Sequence, residues 1–160
     1  MSTPRQYLVG AIVAALAIPV GVAGCSAQPS DDAVTGQIQA SILREVPHVT
    51  GAVTDLGHDG TARTVVVRLY LDSAEPTVVA SAVEKAVGLA WSGTSTMPSS
   101  VIISAVDGSE PSGASTSDLG GIDLATTAAT LGFPVPGVGR DRLIVNARAL
   151  AEHYGSWQSK

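Results

Sequence analysis

The sequence predicts an α+β domain, in which helices pack against a small mixed or antiparallel three-stranded sheet. The element order is α-β-β-α-β, followed by a C-terminal helical appendix. Apolar residues recur every three or four positions over residues 34–46 and 79–90, which is typical of helices with one buried face. Residues 49–56, 64–72 and 100–106 are rich in β-branched side chains and predict three strands.

The first helix is expected to start after Ser30, a residue type that caps helix N-termini. Asp31 and Asp32 then lie in the first turn, where negative charge favours the helix dipole. Pro47 ends the helix because it cannot continue the backbone hydrogen bonding. The predicted buried stripe consists of Val34, Ile38, Ile42 and Val46, widened by Leu43.

The next two strands are predicted to form an antiparallel hairpin. In residues 64–72, apolar positions alternate with mixed ones, so one face of the strand is buried. Residues 57–61 connect the strands, and Asp59-Gly60 suits the positive φ of a tight reversal.

The second helix has Pro76 in its first turn, where the missing N–H has no cost, and it ends at Gly93. The third strand follows, and its apolar residues Val101-Ile102-Ile103 suit the inside of a sheet. A strand, a crossover helix and a further strand favour a right-handed connection and a mixed sheet with helices on one face. The α-β-β-α-β order of residues 31–107 resembles, in topology, the BON-type domains of bacterial envelope proteins.

The C-terminal third begins with residues 108–121, which are rich in Gly, Ser and Thr and predict a flexible loop. Residues 122–160 then predict the helical appendix. A short helix over 123–131 is closed by Gly132. Phe133 begins a Pro-rich turn.

A longer helix is predicted over residues 140–154. Arg148 and Glu152 are spaced to pair on its surface, and Gly155 ends it. Its apolar stripe consists of Leu143, Ala147, Leu150, Ala151 and Tyr154.

The N-terminal segment has the layout of a secretory signal. Arg5 and the amino group provide positive charge, and residues 8–22 form an apolar run. The run ends in Val22-Ala23-Gly24-Cys25, which resembles the lipobox of bacterial lipoproteins. This resemblance implies cleavage between Gly24 and Cys25 and lipid on the Cys25 thiol. It places the protein at the extracytoplasmic face of the cell membrane.

The alternative is an uncleaved transmembrane anchor, because residues 7–24 form an uncharged stretch at the lower limit of spanning length. A stop-transfer helix is expected to run into Lys or Arg, whereas this stretch runs into Cys25 and then Asp31-Asp32. The ending favours the lipoprotein. The chain then divides into a signal peptide (1–24), a lipidated cysteine with a tether (25–30) and the folded part.

Composition restricts the partners. The chain has nine Lys plus Arg and fourteen Asp plus Glu. Removal of residues 1–24, which hold one Arg and no acid, leaves eight against fourteen, a formal charge of −6. Without a basic cluster, nucleic acid is a poor partner. The single cysteine is Cys25, so the mature protein has no internal disulfide. Abundant Ala, Val and Gly resemble the composition of actinobacterial proteins.

The sequence holds no convincing catalytic, metal or cofactor constellation, so we expect no enzyme activity. His48, His58 and His153 lie in three different predicted elements. His58-Asp59 offers two metal ligands where a structural zinc site needs four, which favours an exposed turn histidine. There is no Gly-x-Ser-x-Gly motif, and Asp31-Asp32 is best explained by the helix start.

Gly137-Val138-Gly139 precedes Arg140 and Arg142 and resembles part of a phosphate-binding loop. The third glycine and the preceding strand of a dinucleotide fingerprint are absent from the pattern. A connecting turn is therefore the favoured interpretation.

Two functions from different classes follow. The first is a non-enzymatic binding or accessory module for an envelope partner. The alternative is a carrier of a small apolar ligand or lipid, with a pocket between sheet and helices where small side chains leave room. The aromatic residues Trp91, Phe133, Tyr154 and Trp157 predict either a recognition patch or, as favoured, packing of the C-terminal segment onto the first domain.

Overall fold

The computed structural model describes residues 29–118, 120–136 and 139–158, which form an α+β fold. Residues 1–28, which include Gly24, Cys25 and the predicted signal peptide, lie outside the described residues, so the signal peptide and the lipobox stay predictions. The elements are α1 (Asp31–Glu45), β1 (Val49–Asp59), β2 (Ala62–Leu71), α2 (Pro76–Ser92), β3 (Ser100–Asp107), α3 (Ala125–Leu131), β4 (Arg142–Asn146) and α4 (Ala147–Tyr154).

The sheet has four strands in the order β1-β2-β3-β4. The central pair β2/β3 is parallel, and the two outer pairs are antiparallel. The α+β class and the mixed sheet are therefore confirmed. The expected strand number is wrong, because the C-terminal segment adds β4 to the free edge of β3.

The prediction of one helix over residues 140–154 is wrong for its first part, which is β4. Leu143 and Val145 point into the core, whereas Ile144 between them is 56% exposed, so the true period is two. Leu143 and Leu150 are seven residues apart, a spacing that also fits one face of a helix. Pairing of Val145 with Val101 on β3 decides between the two patterns. Asn146 then caps α4 by accepting a hydrogen bond from Ala149 N at 3.0 Å.

The other local signals behave as expected. Ser30 Oγ accepts a hydrogen bond from Ala33 N at 3.3 Å at the start of α1, and Pro76 begins α2. The hairpin turns through Gly60, whose φ is +58°. Leu43 does not widen the buried stripe of α1, because it lies on the exposed side of the helix.

One face of the sheet is covered by helices. The inward residues of the strands and helices form a single buried cluster, in which Val67, Ile103 and Leu143 are fully buried. Leu124 and Leu150 from the C-terminal segment belong to this same cluster. The segments 31–107 and 122–158 therefore share one core, and the C-terminal segment is part of the fold.

The opposite face of the sheet is partly covered by the described residues of the loop 108–121. Arg68 on β2 donates from Nη1 to Asp118 O at 2.8 Å and from Nη2 to Gly120 O at 2.9 Å. At the same face a Cβ on Gly51 would overlap Glu110, so glycine is needed for this approach. The region predicted as a flexible loop thus makes specific contacts with the sheet.

Among the described residues, no helix combines the length and the apolar character needed to cross a bilayer.

Candidate binding groove

An open groove runs along the outer side of the helical layer and encloses about 760 Å³. Its floor is the outer face of α2, with Lys85, Leu89 and Ser92. Glu45 at the end of α1 lies on one side, and the C-terminal residues 154–158 form the other wall. We call this space the aromatic groove, because Trp91, Tyr154 and Trp157 all line it.

Two indole hydrogen bonds hold the C-terminal wall in place. Gly155 ends α4 with a φ of +85°, and the chain then returns across α2. Trp91 Nε1 donates to Gly155 O at 3.3 Å, and Trp157 Nε1 donates to Thr94 Oγ1 at 3.3 Å. The wall is therefore fastened at both ends of the return segment.

Tyr154 is held by a hydrogen bond of its hydroxyl, and its ring packs closely against Gly88 of α2. The hydroxyl donates to Glu84 O at 2.6 Å, and a Cβ on Gly88 would lie 3.0 Å from Tyr154 Cε1. Burial raises the pKa of Tyr154, and the negative charge of Glu84 raises this pKa further. The hydroxyl therefore stays protonated at neutral pH and remains a donor to the backbone.

Of the two charged residues named in the described lining, Glu45 has an ion pair and Lys85 has none. Glu45 forms an ion pair with the neighbouring Arg44. Each arginine in the described residues has a hydrogen bond or ion pair. Lys85 is the one cationic side chain of this described part for which the structure shows neither. The aromatic groove thus presents an unpaired positive charge.

Two of the four aromatic residues named from the sequence are buried, and two are partly exposed. Trp91 and Phe133 are buried at 3% and 5% exposure, and Tyr154 and Trp157 pack half-buried against the core. The predicted packing of the C-terminal segment is therefore confirmed. The exposed parts of Tyr154 and Trp157 also form a surface, so the same residues serve both purposes.

A smaller groove of about 290 Å³ adjoins the aromatic groove and shares Leu89 and Ser92 with it. It lies between α1 and α2 and is lined by Gln37, Ser41 and Arg44 of α1. The two spaces therefore meet at these two residues of α2.

The histidines are surface residues that pair with carboxylates. The three contacts are His48–Asp72 at 3.0 Å, His58–Asp31 at 2.8 Å and His153–Glu84 at 3.6 Å. His58 pairs with Asp31 rather than with its neighbour Asp59, and Arg63 also contacts Asp31 at 2.6 Å. Asp31 therefore ties the start of α1 to the hairpin. Within the described ranges, no group of three or more potential ligands is placed to hold a metal ion.

The remaining sequence candidates are accounted for as follows. Gly137 and Val138 lie outside the described residues, so the structure does not test the predicted turn there. Sequence reasoning found the aromatic residues but missed Lys85, Leu89 and Ser92. Their spacing of four and three places them on one face of α2, but the same pattern is typical of any solvated helix face.

No family model, curated protein or solved structure matched this chain. The topological resemblance to BON-type domains therefore stays a prediction, as does the resemblance of residues 22–25 to a lipobox.

Proposed function

We propose that this chain is a lipid-anchored extracytoplasmic lipoprotein whose folded part is a non-enzymatic binding module. The aromatic groove is its contact surface for an envelope partner. The observation that carries the proposal is this open groove with three aromatic side chains. Its volume lies in the range of about 300–1,000 Å³ that is usual for ligand sites. Aromatic residues are also enriched at the sites that dominate binding energy.

The groove chemistry favours recognition over catalysis. The Tyr154 hydroxyl donates a hydrogen bond to a backbone carbonyl, and Glu45 is paired with Arg44. Among the described residues of the lining, Ser92 and Ser156 provide the hydroxyls besides Tyr154, and none is a histidine. A nucleophile needs an adjacent base within hydrogen-bond reach. These side chains instead offer an apolar surface with polar groups at its margin.

The expected tether supports a position close to the membrane. Six residues from Cys25 to Ser30 reach about 20 Å when extended. α1 begins beside the β1–β2 hairpin, as the contacts of Asp31 with His58 and Arg63 show. The hairpin end of the fold would therefore face the membrane. Glu45, which borders the groove, is at the other end of α1 from Asp31, so this border of the groove would be set back from the membrane surface.

The alternative function, a carrier of a small apolar ligand or lipid, would use the same groove. The space between sheet and helices is filled by fully buried side chains such as Val67, Val83 and Ile103. The volume of the groove favours this alternative as a second candidate. Native mass spectrometry of the purified chain distinguishes a carrier from a binding module, because a carrier is expected to retain a bound ligand.

Site-specific photocrosslinking in cells tests the binding module. A photoreactive phenylalanine analogue replaces Ser92, an exposed residue on the groove floor. The control carries it in place of Ile144, which is exposed on the opposite face of the sheet. We expect a defined protein adduct from the Ser92 position and a much weaker one from Ile144. Equal adducts from both positions, or none from Ser92, would contradict the proposal.

The lipid anchor is tested by Cys25→Ala. Without the thiol no diacylglyceryl group can be attached, so we expect loss of fatty-acid labelling and accumulation of unprocessed precursor. Ser26→Ala is the matched control and should be labelled and processed normally. Normal processing and labelling of Cys25→Ala would show that residues 22–25 are not a lipobox.

A further inference from the structure

The groove differs in charge from the rest of the chain. The whole sequence carries a formal charge of −5. Glu45 of the lining is paired with Arg44, which lines the adjoining smaller groove, whereas Lys85 has no partner in the described part of the structure. A positive site on an acidic protein is expected to attract an acidic group of a ligand. The charge of the groove therefore selects its occupant.

The apolar part of the groove lies next to this charge. Leu89 is on the same face of α2 as Lys85, one helical turn away, and Tyr154 and Trp157 form the facing wall. Trp157 is fixed by its hydrogen bond to Thr94. A fixed aromatic ring loses little conformational entropy when a ligand packs on it, which favours tight contact.

The shape favours a chain segment over a compact molecule. The aromatic groove and the smaller groove share Leu89 and Ser92 in their linings, so an extended segment that crosses these two residues contacts both spaces. Ser41, Ser92 and Gln158 provide hydrogen-bonding groups at the margins, which suit the N–H and C=O groups of a peptide backbone.

We infer that the occupant of the aromatic groove is a segment of a partner protein with an acidic side chain next to a large apolar one. The acidic group pairs with Lys85, and the apolar side chain packs among Leu89, Tyr154 and Trp157. This inference rests on the proposed function and names the chemistry of its partner.

Selection from a random peptide library against the full-length chain, purified in detergent and immobilised, tests this inference. We expect enriched peptides to combine Asp or Glu with a neighbouring apolar or aromatic residue. Lys85→Glu should lose these peptides and enrich basic–apolar ones instead. Arg148→Glu changes the net charge equally at an exposed site on α4, and it should select the same peptides as the unaltered chain.

Affinity measurements on one selected peptide separate the two contacts. Both tryptophans of the chain line the groove, so intrinsic fluorescence reports directly on its occupation when the peptide lacks tryptophan. We expect Lys85→Glu to weaken binding about 10-fold and Trp157→Ala about 30-fold, as is usual for a central aromatic contact. Circular dichroism should show that both variants remain folded.

Three results would overturn the inference: no enriched peptide, the same motif on Lys85→Glu, or unchanged affinity for Trp157→Ala. If Ser92 still yields a specific protein adduct in cells, the binding module survives and only the chemistry assigned to its partner is wrong. If the Ser92 adduct is also missing, the proposed function fails with it.

Discussion

The two faces of the sheet are covered by different means. Helices cover one face with many apolar side chains, and Val67 and Ile103 there are fully buried. The loop 108–121 covers part of the other face and is held by the guanidinium of Arg68, which is only 4% exposed. Apolar packing is non-directional and distributes its energy over many residues. Hydrogen bonds from one buried cation instead make the attachment of the loop depend on a single residue.

This difference has an energetic basis. A buried charge is costly unless it is hydrogen-bonded. Each of the three guanidinium nitrogens of Arg68 has one partner: two loop carbonyls and the hydroxyl of Tyr70, which lies 3.3 Å from Arg68 Nε. The loop and the guanidinium therefore depend on each other, whereas no single residue of the helical side has this role.

Two isoleucines on adjacent strands give the largest contrast between the faces. Ile103→Ala empties a fully buried site on the helical side and should lower the free energy of unfolding by about 3–4 kcal/mol. Ile144→Ala, on the opposite face and 56% exposed, should cost less than about 1 kcal/mol. Denaturant unfolding measures both. Similar losses at the two sites would mean that the open face is also a packed surface.

The loop contact should have an intermediate effect. Arg68→Met leaves the carbonyls of Asp118 and Gly120 without their donor and should cost about 2 kcal/mol. Limited proteolysis should then cut within residues 108–121. Arg142→Met is the matched control, because Arg142 reaches the same loop only through a 3.5 Å contact with Ser117 O. If Arg142→Met releases the loop as readily as Arg68→Met, the loop does not depend on Arg68.

The smallest contrast concerns two helical glycines on the covered side. Gly36→Ala meets no atom within 4 Å and should raise the free energy of unfolding by about 1 kcal/mol through helix propensity. Gly88→Ala places its methyl group 3.0 Å from Tyr154 Cε1, and crowding should remove most of this gain. Thermal unfolding and tryptophan fluorescence measure the pair. An equal gain in the free energy of unfolding at both positions would show that Tyr154 can move away from the new methyl group, so that the groove wall is not rigid.

Local signals predicted the elements of residues 31–107 well. Ser30 and Pro76 mark helix starts through their own hydrogen bonding or backbone geometry, and such effects need no distant partner. The turn at Gly60 is of the same kind. Gly93 also marks a helix end, but a Cβ there would lie 2.6 Å from Ile38 Cγ1 of α1, so this glycine also serves a contact between helices. The strand β4 was missed because five residues fit two periodicities, and only the free edge of β3 distinguishes them.

The site was predicted in part. Its aromatic members were named from the sequence, since large aromatic residues are rare in this chain, at 4% of its residues. Lys85 was not named, because an exposed lysine on a helix is unremarkable until its neighbours are known. Its significance depends on Trp157 returning across α2, which is a tertiary contact, and on the local ion pair between Glu45 and its sequence neighbour Arg44.

Taken alone, the order of residues determined the boundaries of α1 and α2, the hairpin and the α+β class, because these follow from nearest-neighbour geometry and from the period of apolar residues. It also supports the expectation of a lipidated Cys25. The fourth strand, the anchoring of the loop on Arg68 and the unpaired charge in the aromatic groove arise only when distant segments meet. Their free energies belong to contacts between residues far apart in the chain, which local patterns do not encode.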